Sequence, residues 1–498
     1  MKLAMLSTIL ALLAAPALAD PVTAAVEGGV VAGTETPIAV VYRNIPYAAP
    51  PVGPLRWAQP AKVVTWTGER DGTKAGVSCP QTMRADGAPN LGSANGPMSE
   101  DCLQLNVFAP KGAKRAPVMV WLHGGSHRYG AGWIYDGSNF ARDGVVLVAI
   151  NYRLGPLGYF AHPALTKAAK PDEAIGNYGL MDQIAALEWV KRNIKSFGGD
   201  PGNVTVFGES AGGASTLALL ATRKSKGLYR KAVVQSGGGW GGPTMISDKE
   251  ADGVKAAAAI GLTDPTVDQL RAIPAADLIA KADGDFGPFV DGRLMKQTPA
   301  QAFASGRAND VPLIIGSNSG EDSLMSEFGQ NAASLGASLP PLVRAVYAEE
   351  AAQSDDLLGR AVFTDRAFGA PARWTAAKAS GGKPAWLYYF SYVGSRFRPM
   401  VTRSFHAAEI QYVFEYWGRR TPLSMIKPDD KAMADLMHGC WVAFAKTGKP
   451  ACAGWPVYDP KSDQLMEFGA ASGVRTHFRK SRLDAQEAAA LPTLELSK

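Results

Sequence analysis

The run Gly208-Glu209-Ser210-Ala211-Gly212 decides how this chain is read. Before it, Val204-Thr205-Val206-Phe207 has the composition of a short buried strand, and after it Gly213 to Leu220 reads as the start of a helix. A G-x-S-x-G run between a strand and a helix makes an elbow. Its small residues let the chain turn so sharply that the serine hydroxyl projects from it. In a chain with 54 glycines the five-residue pattern alone arises by chance, but strand, elbow and helix in that order make Ser210 a candidate nucleophile.

A serine hydroxyl is a weak nucleophile at neutral pH, so it needs a base to take its proton and an acid to hold that base in the right tautomer. The chain has six histidines, and in the order serine, acid, histidine the base must come from His406, His438 or His477. His438 lies in the helical pattern Met433 to Trp441 and reads as a packed or half-exposed helix residue. His477, among Arg475, Arg479 and Lys480, reads as solvated. His406, in Ser404-Phe405-His406-Ala407-Ala408-Glu409-Ile410, follows a long loop after the strand-like Ala385 to Phe390, where a fold hangs its chemical groups. It is the candidate base.

Strand-like runs at Val145 to Ile150, Val204 to Phe207, Ala232 to Gln235 and Leu313 to Ile315 alternate with helical stretches such as Leu180 to Ile194. This alternation predicts an α/β protein with a mostly parallel central sheet. Residues 241 to about 310, and roughly 323 to 384, are richer in alanine-helical and loop sequence and are expected to build a cap over the pocket.

Several separated stretches, in order, resemble the type-B carboxylesterase and cholinesterase family of the α/β-hydrolase fold. They are Asn44-Ile45-Pro46-Tyr47-Ala48-Ala49-Pro50-Pro51-Val52-Gly53, Glu100-Asp101-Cys102-Leu103-Gln104-Leu105-Asn106-Val107, His123-Gly124-Gly125, Asn151-Tyr152-Arg153, Asn177 to Gln183, the elbow, Phe444 to Pro450 and Trp455-Pro456. The resemblance covers nearly the whole chain beyond its N-terminal segment. It implies a central sheet flanked by helices with cap insertions, and it names an acid. Gly316-Ser317-Asn318-Ser319-Gly320-Glu321 fits the family's acid motif, with Asp322 where the family has glycine, so Glu321 takes the role. On residue type alone, either carboxylate could orient an imidazole.

The same resemblance implies an oxyanion hole built from the backbone N–H groups of Gly125, Ser126 and Ala211, aimed at the oxygen that becomes negative in the tetrahedral intermediate. Ser126 and His127 depart from the usual glycine and phenylalanine. A donor at Ser126 needs no glycine where its φ is negative, and His127 is expected to be pocket wall or packing. Arg56 with Glu100, and Arg153 with Asp182, resemble the family's two buried ion pairs, and Ser236 resembles its serine beside the acid. The family signature around Cys102 takes its disulfide partner from the preceding loop, which implies a Cys79–Cys102 bridge and leaves Cys440 with Cys452.

The N-terminus sets the expected compartment. Lys2, the apolar Leu3 to Leu13 and the Ala17-Leu18-Ala19 ending have the pattern of a secretory signal peptide over residues 1–19, followed by a single catalytic domain over 20–498. Asp20 in place of cysteine argues against a lipid anchor, and no later apolar run spans a bilayer. The enzyme is thus expected to be exported, periplasmic or secreted, with four cysteines available for disulfides. The net charge of +6 is too dispersed for a nucleic-acid surface, and Arg396, Arg398 and Arg403 read as a solvated loop. No C-x-x-C or H-E-x-x-H spacing points to a metal, and no cofactor is implied. The expected partner is a small-molecule or lipid-like ester, with no nucleic acid and no stable membrane anchor. Two function classes follow: a serine carboxylesterase acting through Ser210, His406 and Glu321, or a non-catalytic adhesion or binding homologue. Retention of all three groups favours the first.

Overall fold

The strand that leads into the elbow, Gly199–Glu209, lies near the middle of a thirteen-stranded sheet. The computed structural model describes residues 22–82, 94, 96–418, 421–452 and 454–496, so the expected signal peptide lies outside it. Along the sheet the order is Val22–Val26, Gly29–Glu35, Val40–Pro46, Gln104–Ala109, Val146–Ile150, Ala116–Leu122, Gly199–Glu209, Lys231–Gln235, Leu313–Asn318, Ala385–Phe390, Gln464–Phe468 and Gly473–Thr476, with the short strand Glu69–Asp71 beside Gly29–Glu35. From Val146–Ile150 to Gln464–Phe468 every neighbouring pair is parallel, and the flanking pairs are antiparallel.

A parallel sheet covered by helices on both faces demands apolar residues at every position, which is why Val146–Ile150 reads VLVAI without alternation. The two-residue period still sorts the side chains. Val118, Val120 and Leu122 enter one core with helices Tyr178–Asn193 and Ala211–Ala221, while Met119 and Trp121 enter the other with helix Pro428–Thr447.

Much of the expected cap folds apart from the sheet. Helices Ile246–Ala259, Val267–Arg271 and Ala275–Lys281 close over an apolar cluster holding Trp57, Phe160, Leu270 and Leu278. Helices Ala332–Ala337 to Asp355–Thr364 surround Tyr347, Leu358 and Val362. The expected boundary is too generous, however. Helix Ala370–Ala379 buries Ala372, Trp374 and Ala376 in the main core, as the crossover between parallel neighbours Leu313–Asn318 and Ala385–Phe390. Helix Pro299–Ala304 likewise places Ala300 and Phe303 in that core.

In such sheets the chemistry gathers beyond the C-terminal strand ends. Here Leu122 leads to His123-Gly124-Gly125, Glu209 to Ser210, Asn318 to Glu321, and Phe390 to the loop bearing His406. The last two segments are tied directly: Gly320 N–H donates to Ser404 O at 2.7 Å, and Gly320 bridges Phe405 in parallel.

Candidate active site

Ser210 caps helix Ala211–Ala221 with φ 56° and ψ −122°. A positive φ on a side-chain-bearing residue costs about 1–3 kcal/mol and persists only where the surroundings enforce it. Backbone crowding enforces it here. A Cβ on Gly212 would stand 1.9 Å from Leu122 O, and one on Gly208 would stand 2.4 Å from the Gly212 carbonyl carbon, so both flanking residues must lack side chains. Ser210 N–H donates to Gln235 O at 2.9 Å, fixing the turn to the neighbouring strand.

Glu321 is fully buried. Its Oε1 accepts from Ser236 Oγ and from Asn318 N–H, both at 2.7 Å, and its Oε2 meets His406 Nδ1 at 2.5 Å. Asp322 turns the other way, its Oδ2 accepting from Arg403 at 3.0 Å and Arg360 at 3.2 Å. The two adjacent carboxylates that residue type could not separate are thus separated by direction. His406 donates its backbone N–H to Ser323 Oγ, and the Phe368 ring covers its imidazole at 5.5 Å. Phe368 lies in a π-helical turn, Asp365–Gly369.

His406 Nε2 faces Glu209 Oε1 at 3.0 Å and makes no hydrogen bond to Ser210 Oγ. Burial of the ring opposes its protonation, but Glu209 and Glu321, one at each nitrogen, outweigh burial and raise its pKa well above the ordinary 6.5. Glu409 completes a buried acidic group, accepting from Gln235 Nε2 at 3.0 Å and Asn318 Nδ2 at 2.6 Å. Burial and then Glu209 push its carboxyl up to about 7.

Across from the elbow, Gly124 passes so near that a Cβ on it would stand 2.7 Å from Glu209 Oε2 and 3.1 Å from Ser210 Cβ. Gly125 follows with φ 109°, Ser126 with φ 51° and His127 with φ 53°. Ser126 therefore does not meet the negative-φ condition under which a donor there needs no glycine. The loop coils tightly enough for Gly125 O to accept from both Arg128 N–H and Tyr129 N–H, and that coil requires the left-handed region. Among the described residues, the backbone N–H groups of Gly125, Ser126 and Ala211 have no acceptor.

The Carboxylesterase family profile matches residues 20–486. The chain belongs to that family. It is a carboxylic ester hydrolase of the α/β-hydrolase fold. It is 37% identical to the para-nitrobenzyl esterase of Bacillus subtilis over 85% of this chain and 90% of that protein. It is 33% identical to the fumonisin B1 esterase of Sphingopyxis macrogoltabida over 90% of this chain and 86% of that protein. A solved carboxylesterase structure from Geobacillus stearothermophilus superposes with a TM-score of 0.80 at 30% identity, covering 94% of this chain and 99% of that one.

The remaining singled-out residues of the esterase have structural partners. Arg153 grips Asp182 through two bonds of 2.8 Å, both side chains buried, and Arg56 pairs with Glu100. His127 is buried with Nε2 2.9 Å from Ser215 Oγ, tying the glycine loop to helix Ala211–Ala221. Burial holds its pKa down at about 3, so it stays neutral. His438 is buried on helix Pro428–Thr447, its ring nitrogens facing Val413 O and Asp143 Oδ2, while His477 is exposed. Arg403 and Arg398 pair with Asp322 and Asp429 on a loop that stays largely exposed, as its composition suggests. Cys79 is bonded to Cys102, and Cys440 to Cys452, with Cα atoms 5.0 and 5.5 Å apart. No helix among the described residues is long and apolar enough to cross a membrane.

Glu209 and Glu409 escaped the sequence reading, whereas His127 packs as expected. Glu209 sits at a variable position of the elbow motif, where no residue type is demanded, and its adjacency to Ser210 was the one available signal.

Proposed function

We propose that this esterase is exported and cleaves carboxylic esters through Ser210, His406 and Glu321, by way of an acyl-enzyme. The observation that carries the proposal is the buried 2.5 Å contact between Glu321 Oε2 and His406 Nδ1, beside an elbow that turns Ser210 out of the sheet. Substrate binding exchanges the Nε2 contact with Glu209 for one with Ser210 Oγ, since such bonds often close only in the complex. Ser210 Oγ then attacks the ester carbonyl carbon while its proton passes to Nε2. The N–H groups of Gly125, Ser126 and Ala211 receive the oxyanion, and Glu321 stabilises the imidazolium. Collapse expels the alcohol, which takes the proton from Nε2. Water, deprotonated by His406, then attacks the acyl-enzyme, and its collapse returns Ser210 and releases the acid. Neither metal nor cofactor enters these steps.

The substrate is a small or lipid-like ester, in keeping with the para-nitrobenzyl and fumonisin B1 esterases among the relatives. Residues 20–498 act as one catalytic domain with its cap, and the two bonded cysteine pairs suit an oxidising compartment. The three chemical groups together speak against a purely adhesive homologue. A serine-directed organophosphate should inactivate the enzyme and add its mass at Ser210. Full activity in Ser210→Ala, or labelling elsewhere, would overturn the mechanism. Expression with residues 1–19 should yield an exported chain beginning at Asp20, and retention of an intact N-terminus inside the cell would overturn export.

A further inference from the structure

Ser126 carries a hydroxyl at a place in the loop where only its backbone N–H is needed, and that hydroxyl is engaged. Ser126 Oγ donates to Glu327 Oε1 at 2.5 Å, and Tyr129 OH donates to the same oxygen at 2.7 Å. Glu327 comes from the segment just after Glu321 and reaches across to the loop just after His123. Its carboxylate is thereby held one side chain away from the Gly125 and Ser126 N–H groups. Two donors on one oxygen leave Oε2 unengaged, and among the described residues no Lys, Arg or His pairs with it.

Three arginines of the surrounding loops and cap have other partners. Arg128 donates to Gly284 O and lies over the Phe286 ring, while Arg360 and Arg403 are taken by Asp322. Burial, and then the bond to Glu327, raise the pKa of Tyr129, so its phenol stays a donor across the working pH range. An ordinary exposed glutamate swings freely and is hydrated. This one is pinned at the rim of the site.

We propose that Glu327 is a specificity-determining residue that gives the esterase a preference for cationic over anionic esters. The proposal rests on the assignment of the site to Ser210, His406 and Glu321. A fixed carboxylate beside the pocket attracts a positive group on the substrate and repels a negative one. Because it is exposed, water and salt weaken both effects, and a discrimination of about tenfold is expected rather than many orders.

The test uses two series of esters matched in size, one with a trimethylammonium, neutral or carboxylate group on the acyl chain, the other with the same three groups on the alcohol. kcat/KM is measured for wild type, Glu327→Gln and Glu327→Lys, and each charged ester is divided by its neutral partner, so any loss common to all three cancels. In at least one series, Glu327→Gln should raise the anionic-to-neutral ratio about tenfold and lower the cationic-to-neutral ratio. Glu327→Lys should go further, and 0.5 M salt should shrink the wild-type discrimination. Ratios that stay within about twofold of wild type in both series would overturn the proposal. The site assignment fails separately: it would fall if Ser210→Ala kept its turnover of the neutral esters, whatever the charge ratios.

Discussion

His406 Nε2 lies 3.0 Å from Oε1 of Glu209, the residue immediately before Ser210, while its Nδ1 lies 2.5 Å from Glu321. A ring between two carboxylates is stabilised as the imidazolium, yet the proposed base must be neutral to accept the serine proton.

The pH dependence follows from that conflict. With the His406 pKa raised above 6.5, acylation should increase with pH through this raised value, and Glu209→Gln should move the rising limb to lower pH. Pre-steady-state bursts between pH 5 and 10 would read both limbs. A flat profile under conditions where acylation limits the rate would contradict a histidine base. The sign for stability is opposite. A raised histidine pKa contributes stability that is full below the unfolded value near 6.5 and is lost as pH climbs through the folded value. His406→Ala should therefore flatten the alkaline fall in denaturation midpoint.

The neighbouring carboxylates should separate cleanly. Glu321→Gln removes the partner of Nδ1 and should lower turnover by about 10⁴, the loss seen when such an orienting carboxylate is neutralised. Asp322→Asn should change turnover little, because Asp322 faces Arg360 and Arg403. The reverse ranking would mean that the wrong carboxylate has been assigned.

At Ser126 the φ of 51° changes what substitution does. Ser126→Gly relieves the cost of the positive φ but also gives up the Oγ bond to Glu327, so its denaturation midpoint should stay near that of wild type. Ser126→Ala should keep most turnover, whereas Ser126→Pro, with no N–H and a φ locked near −65°, should lose on the order of 10² or more. Circular dichroism must show each variant folded. Equal losses in the alanine and proline variants would make the hydroxyl, rather than the N–H, the working group.

The Arg153–Asp182 pair tests the scaffold. Asp182→Ala strands a buried guanidinium and should cost about 3–5 kcal/mol in denaturant unfolding. A cost below about 1 kcal/mol would show that water or another group satisfies Arg153.

The parallel sheet and the elbow were legible in sequence because each is written locally, in continuous apolar runs and in glycines that backbone crowding makes obligatory. Local context also told the three later histidines apart, since a loop after a strand differs from a helix interior: His406 meets Glu321, and His438 is packed within its helix. The cap boundary was not legible. Ala372 and Ala376 look the same whether a helix lies on a sheet or in a lid, and only its neighbours decide. The positive φ of Ser126 and its bond to Glu327, 201 residues away, depend on how two loops meet in space. So does the turn of the imidazole toward Glu209, which no spacing encodes.

The hydrogen bond from Gly320 to Ser404 and the bridge from Gly320 to Phe405 fasten the segments carrying Glu321 and His406 to each other, although 85 residues separate these two along the chain. Most of those residues leave one strand and return to its parallel neighbour. Those that fold apart from the sheet, around Tyr347, Leu358 and Val362, can therefore change without moving the proposed acid and base relative to each other. Under the proposed assignment, the residues that would do the chemistry and many of those between them thus lie on separately packed stretches of one chain.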